Sequence, residues 1–234
     1  MNKTVLVTGA SRGLGFYFVK KYLEDGDTVF AGARDISADN LTELKKEFPD
    51  RLIPVTLDVA DTKSVKEAAA LVMEHTKKLD IVVNNAGIHS KSTHGTLEKL
   101  DVDDALPVLN TNSLGPLRVA QAFISLIRNS FLGKIINITS ECGSCGTTKC
   151  VTEIDYSLSK AALNMETKLL SNYLKKDNII VLAVHPGWMR TDMGGQRALL
   201  DPYETACQLV ELFESINSTD NPIFIDNKGN VFPW

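Results

Sequence analysis

The chain has no basic run. Its 25 Lys and Arg are outnumbered by 29 Asp and Glu, for a net charge of −4 over 234 residues. The pairs Lys45-Lys46 and Lys175-Lys176 read as solvated helix faces, so no nucleic-acid surface is expected. Long apolar runs are missing too. Stretches such as Ile179–Val184 fall far short of the roughly 20 residues that cross a bilayer, and no membrane partner is expected. Met1-Asn2-Lys3 leads directly into an apolar strand, which leaves no room for a secretory signal and makes a cytoplasmic location the expectation. Cysteine is sparse, at four, and in that compartment reads as reduced thiol. Cys142, Cys145 and Cys150 fall within nine residues, while Cys207 stands apart on a helical stretch. Lacking a fourth ligand at sensible spacing, the three read as small side chains in a loop open to oxidation, and no metal is expected.

Hydrophobic residues make up 44% and charged residues 23%, the balance of a folded globular chain, and the length suits one substantial core. Short β-rich apolar runs alternate with amphipathic helical patterns. Strands are predicted at Thr4–Val7, Thr28–Ala33, Leu52–Leu57, Ile81–Val83, Lys134–Ile138, Ile179–Val184 and Ile223–Ile225. Most are nearly continuous apolar runs, as strands covered on both faces are. A helix is predicted to begin near Gly13, to bury Leu14, Phe18 and Tyr22 with Val19 and Leu23 beside them, and to stop at Gly26. Others are predicted over Lys63–Lys77, from about Asp104 to Arg128, from Glu153 to Leu174 and near Val210. Thr152-x-x-Asp155 looks like a capping box for the helix from Glu153. With no repeat, linker or composition break, the alternation implies one α/β domain: a doubly wound parallel sheet of about seven strands with helices on both faces.

Between the first strand and first helix lies Thr8-Gly-Ala-Ser-Arg-Gly-Leu-Gly15. Gly9, Gly13 and Gly15 permit a tight turn that brings backbone N–H groups close to phosphate oxygens at a helix N-terminus. Ser11, Arg12 and Leu14 sit in the same turn and are expected to share the contact. The spacing is Gly-x3-Gly-x-Gly rather than G-x-G-x-x-G. The second strand ends Ala31-Gly-Ala33-Arg34-Asp35. A carboxylate there would hold the ribose hydroxyls of NAD, whereas an arginine pairs with the 2′-phosphate of NADP. Ala33 followed by Arg34, with Arg12 as a second cation, favours NADP(H) over NAD(H). Asp35 keeps the other cofactor open.

Tyr156 and Lys160 are four residues apart on a predicted helix and therefore share a face. A free phenol has a pKa near ~10. A nearby ammonium and a positive nicotinamide ring would lower it by about two to three units, or roughly 3–4 kcal/mol of differential stabilisation. Such a phenol exchanges protons with a carbonyl or alcohol oxygen near neutral pH.

Together with Asn84-Asn-Ala-Gly87 and Pro186-Gly187, these motifs resemble the short-chain dehydrogenase/reductase family in order and over essentially the whole chain. The stretch from His185 to Gly195 and the compact C-terminus resemble the sniffer-type carbonyl reductase and bacterial C-factor-like branch. The resemblance implies a Rossmann-type fold, with a cofactor half over about 1–110 and a catalytic and substrate half over about 111–234. It puts Asp58, with Val59 beside it, near the adenine, and Asn85, Ala86 and Gly87 along the cofactor cleft. Pro186, Gly187 and Thr191 would meet the nicotinamide. It adds Ser140 as the hydrogen-bond partner of the substrate carbonyl and Asn112 as the holder of a water beside Lys160. Ser140 lies sixteen residues before Tyr156, three more than is usual in the family, so Ser144 is a rival. Ser140 is preferred because it closes a strand, and the extra residues would then bulge within Cys145–Val151.

The expected function is NADP(H)-dependent interconversion of aldehydes or ketones with alcohols, with a small-molecule substrate and a homodimeric state. Trp188, Met189 and Met193 are expected to give the pocket an adaptable apolar wall. The alternatives are a nucleotide-binding regulatory protein of C-factor-like type with little turnover, and an epimerase or dehydratase on the same scaffold. His75, His89, His94 and His185 are expected to have no catalytic role.

Overall fold

The computed structural model describes Asn2 to Trp234. Seven strands form one parallel sheet: β1 (Thr4–Thr8), β2 (Thr28–Ala33), β3 (Leu52–Thr56), β4 (Ile81–Asn84), β5 (Lys134–Ile138), β6 (Ile180–His185) and β7 (Phe224–Asp226), in the order β3-β2-β1-β4-β5-β6-β7. Seven α-helices connect them: α1 (Gly13–Glu24), α2 (Asp39–Glu47), α3 (Thr62–His75), α4 (Ala105–Asn112), α5 (Leu114–Arg128), α6 (Ile154–Leu174) and α7 (Pro202–Ser215). Alternate strand residues feed two cores. Val5 and Val7, Ile81 and Val83, and Ile180, Leu182 and Val184 pack with the apolar faces of α1 and α7. Leu6, Val82 and Val181 point the other way and pack with those of α3 and α5. The strands are apolar throughout because both faces are covered. Strand order reverses between β1 and β4, where a doubly wound sheet opens a crevice at its C-terminal edge.

Helix starts follow their caps. The Asp61 carboxylate accepts from the Lys63 and Ser64 N–H groups and starts α3, while Asp201 followed by Pro202 starts α7. Gly26 ends the first helical unit at φ 93°, as expected of a left-handed terminal residue. Three expectations need correction. The stretch from Asp104 to Arg128 is two helices, broken at Ser113 (φ −115°, ψ −63°), because Pro116 has no N–H for the Asn112 carbonyl, and the Asn112 side chain is held in bonds with Ile88. Thr152-x-x-Asp155 forms no capping box: α6 starts after Glu153 at φ 60°, and the Asp155 carboxylate instead accepts from Thr93 Oγ1 at 2.8 Å. Helix α2 was not among the predicted helices, since only Leu41 and Leu44 of its nine residues are buried.

A buried polar ladder crosses the middle of the sheet. Asn84 Nδ2 donates to Asn137 Oδ1 at 2.8 Å, and Asn137 Nδ2 donates to Thr167 Oγ1 of α6 at 2.8 Å. At the opposite edge, Asp80 takes bonds from the Thr4 N–H, Ser130 Oγ and Lys78 Nζ.

Glu166 on α6 has a buried carboxyl oxygen with no partner among the described residues, and burial pushes its pKa up to about 8. Because the folded state holds this proton more tightly than the unfolded chain, its contribution is intact at acid pH and is lost as pH rises to about 8. Glu166→Gln is expected to match the wild type near pH 4.5 and to gain about 1–3 kcal/mol, several degrees in Tm, above pH 8. Melting curves at both pH values test this; an equal difference at both would refute it.

Candidate active site

A cleft of about 1590 Å³ opens over the C-terminal edge of the sheet, larger than the roughly 300–1,000 Å³ of most small-molecule sites. At its floor, Gly9 and Gly13 adopt φ of 67° and 56°. Gly15 is required for a different reason. A Cβ there would collide with the Gly9 carbonyl oxygen and the Asn85 amide nitrogen. At Gly9, a Cβ would lie 2.9 Å from Ala86 Cα. Turn and β4 terminus are thus packed backbone to backbone. Thr8 Oγ1 accepts from the Asn85 and Ala86 N–H groups at 3.1 Å each, and Asn85 Nδ2 donates to the Thr8 carbonyl at 3.0 Å. The result is a concave, side-chain-free cradle of the kind a pyrophosphate needs.

Ser11, Arg12, Gly13 and Leu14 line this cradle, and Arg34, Asp58, Val59 and Gly87 continue the same wall. Arg34 is exposed, with no ion pair among the described residues. Asp35 folds back on its own turn, accepting from the Ser37 N–H at 2.9 Å and Ser37 Oγ at 2.6 Å. Those bonds hold its carboxyl below the usual range and occupy the group that kept NAD(H) open. Asp58 accepts from the Ala60 N–H at 2.9 Å. Arg12 pairs with Asp192 at 3.1 Å across the cleft, bringing the segment after Thr191 over the glycine turn.

At the other end of the cleft, Ser140, Tyr156 and Lys160 face the same space as Pro186, Gly187 and Thr191. Lys160 Nζ donates to the Ile138 carbonyl at 2.8 Å and lies 5.5 Å from the Tyr156 ring centroid. Asn112 is fully buried. Its amide closes on the main chain of Ile88 from both sides (2.8 and 2.9 Å) and donates to Ser159 Oγ at 3.0 Å. Ser144 is turned away from the cleft, tied to the Pro233 carbonyl and Thr147 Oγ1 at 2.7 Å each. Residues 145–151 form the exposed bulge beyond it.

Burial dominates the electrostatics of the protein alone. Burial raises the Tyr156 phenol above its ordinary pKa, and Cys142 adds to this, while the Ser140 hydroxyl opposes it. Burial lowers Lys160 to about 8. In the protein alone, burial therefore outweighs any help from the Lys160 ammonium, and the phenol is not acidic.

The family model of the short chain dehydrogenases matches residues 3–199. The chain belongs to that family. As a short-chain dehydrogenase it is an oxidoreductase, and its solved neighbours include carbonyl reductases. The NADPH-bound carbonyl reductase from chicken fatty liver superposes with a TM-score of 0.91 at 33% identity, covering 100% of this chain and 99% of that one. Sniffer, a carbonyl reductase of Drosophila melanogaster, gives 0.93 at 28% identity with full coverage of both chains. The C-signal protein of Myxococcus xanthus is 31% identical over 159 residues, 68% of this chain and 95% of that protein.

Within this short-chain dehydrogenase, some site features were not visible in sequence. His89, read as a loop residue without a catalytic role, stands edge-on to Tyr156 with ring centroids 4.2 Å apart, and burial lowers its pKa. Glu153 and His94 meet at 3.3 Å on the same rim. Only position carries this information, since neither histidine belongs to a motif. Trp188 and Met193 are half-exposed on the opposite wall, with Met189 buried beneath them.

Proposed function

We propose that the chain is an NADP(H)-dependent carbonyl reductase acting on aldehydes and ketones of modest size. The observation that carries this reading is the convergence of Ser140, Tyr156 and Lys160 at one end of a cleft whose other end is the glycine cradle and Arg34. The NADPH-bound state of the chicken neighbour supports the choice of cofactor, as do Arg34 left free and Asp35 self-occupied. A nicotinamide dinucleotide seated in the cradle supplies or accepts the hydride. Gly9, Ser11, Arg12, Gly13, Leu14 and Gly15 would hold its pyrophosphate, Asp58 and Val59 its adenine, and Asn85, Ala86, Gly87, Pro186, Gly187 and Thr191 its inner end.

In reduction, Ser140 donates a hydrogen bond to the substrate carbonyl oxygen and Tyr156 gives that oxygen its proton. The phenol stays protonated through neutral pH, as a proton donor must be. Lys160, near 8, would restore the proton, with Asn112 as the proposed holder of a water beside it. Trp188 and Met193 would accept varied apolar substituents, Met being the more adaptable. NADPH consumption against a panel of aldehydes, ketones and quinones, run beside NADH, tests the reading. Tight NADPH binding with no turnover would instead favour a regulatory role, which the similarity to C-signal keeps in view.

The assembly proposed is a homodimer. Leu158, Met165, Leu169 and Tyr173 form one stripe along α6, each between 55% and 61% exposed, with Leu114 and Leu117 of α5 adding to the exposed apolar surface. An apolar stripe of this kind calls for a covering partner. Sedimentation should give a dimer at micromolar concentration, shifted to monomer by Met165→Lys with Leu169→Glu; a wild-type monomer would rule the dimer out.

A further inference from the structure

Cys142 and Cys150 are separated by eight positions, yet their sulfur atoms lie 2.8 Å apart on the rim of the cleft. The two ends of this contact are held differently. Cys142 follows Ser140 closely, and its N–H donates to Ser140 Oγ at 3.2 Å. The next residue, Gly143, packs against the backbone of Lys160, where a Cβ would come within 2.7 Å, and its carbonyl accepts from Asn164 Nδ2 at 3.0 Å. Cys150 is exposed, at the far end of the bulged loop. Glu153 Oε2 stands 3.7 Å from Cys142 Sγ, placed to accept its proton.

We propose that Cys142 and Cys150 are a modification site, a reversible disulfide written by a small-molecule disulfide of the glutathione type. The bond pins the 145–151 loop at the substrate end of the cleft, where Cys150 already touches Cys142.

The chemistry balances as two exchanges. The exposed Cys150 thiolate attacks one sulfur of the small disulfide; that S–S bond breaks and one small thiolate leaves. Cys142 then attacks the Cys150 sulfur of the mixed disulfide, the protein S–S bond forms and the second small thiolate leaves. The two protein thiols give up two electrons to the small disulfide. Their protons, Cys142's by way of Glu153, end on the two departing thiols. Burial and the Cys150 thiol beside it push the Cys142 thiol up to about 12. The resolving step therefore relies on proximity to offset a low thiolate fraction, and the Cys150 contribution ends once that sulfur is in the mixed disulfide. Closing so short a loop costs little chain entropy.

Zinc is the competing occupant, since the two sulfurs and a Glu153 oxygen lie within 4.8 Å of one another. The 2.8 Å contact is closer than the roughly 3.8 Å that two thiolates keep on a tetrahedral zinc, which favours the dithiol.

The effect on turnover rests on the carbonyl-reductase reading; the cross-link itself does not. The reduced full-length protein is equilibrated without oxygen in glutathione buffers of increasing oxidation, its free thiols are trapped by alkylation, and peptides are mapped by mass. Wild type should lose two alkylatable thiols without retaining glutathione and yield a peptide joined through Cys142 and Cys150. Cys150→Ser and Cys142→Ser should not. The ratio of oxidised to reduced turnover should fall roughly ten-fold in wild type, within what a misplacement of order an ångström costs at a reacting centre. It should recover with dithiothreitol and stay at one in Cys150→Ser. A persistent mixed disulfide with no cross-link overturns the site. So does one equivalent of zinc held by reduced wild type and lost in Cys150→Ser. A cross-link that leaves the ratio at one overturns the effect on the cleft. No turnover by the reduced wild type would sink the reductase reading alone, because the cross-link is scored by mass.

Discussion

Tyr156→Phe should lower kcat for NADPH-dependent carbonyl reduction by roughly 10²–10⁴-fold while leaving NADPH affinity within about two-fold, the range a positioned acid contributes. The substitution removes one hydroxyl from a ring held by His89 on its edge and Lys160 near its face, so the cleft keeps its shape. Loss of NADPH binding along with turnover would show that the phenol is structural. The pH profile gives a separate check. Burial holds the Tyr156 proton through neutral and mildly alkaline pH, whereas Lys160 loses its own near 8. The reductive rate is therefore expected to fall as pH rises through about 8, tracking the group that refills the phenol rather than the phenol. An alkaline limb unchanged in Lys160→Met would reject that assignment.

Gly15→Ala should weaken NADPH binding by roughly 10–100-fold, about 1.4–2.8 kcal/mol. The backbone at Gly15 is ordinary, so the cause is not torsional. The added methyl has nowhere to go between the Gly9 carbonyl and the Asn85 amide, and relief requires the cradle to open or β4 to retreat from β1. Overpacking of this kind also costs about 1–3 kcal/mol of stability. Calorimetric titration with NADPH, at a temperature where melting curves show the variant folded, separates the two effects. Wild-type affinity in a folded variant would mean that the cradle is not where the dinucleotide binds.

The strands were legible because burial on both faces leaves an apolar signature that needs no partner to be read: every predicted strand end falls within a residue of the observed one. The Tyr156–Lys160 pairing was equally local, one turn of α6. What escaped depended on contacts between distant segments. The apolar pattern runs straight through Ser113, but Pro116 cannot bond the Asn112 carbonyl, a signal that was in the sequence, and the Asn112–Ile88 bonds hold the break. Ser140 was preferred over Ser144 from its place at the end of β5, but the bond that turns Ser144 away runs to the Pro233 carbonyl, 89 residues further on. Glu153 joins the rim through a left-handed turn that its own residue type disfavours, held by its N–H on the Thr93 carbonyl at 2.7 Å. Spacing revealed the charge beside the phenol but not the burial that raises its pKa in the protein alone.

The amide ladder from Asn84 through Asn137 to Thr167 bears on how the chain avoids wrong pairings. Apolar strands such as Ile81–Val83 and Lys134–Ile138 slide past one another with small loss, since each step exchanges one branched side chain for another. A slip by one residue would leave two buried carboxamides facing hydrocarbon, a penalty of a few kcal/mol. A slip by two would part Asn84 from Asn137. The ladder therefore acts as a register key at the centre of the sheet. Since β5 also carries Ser140 just past its end and α6 carries Tyr156 and Lys160, the same key that selects one alignment of the strands sets the mutual placement of the reacting groups.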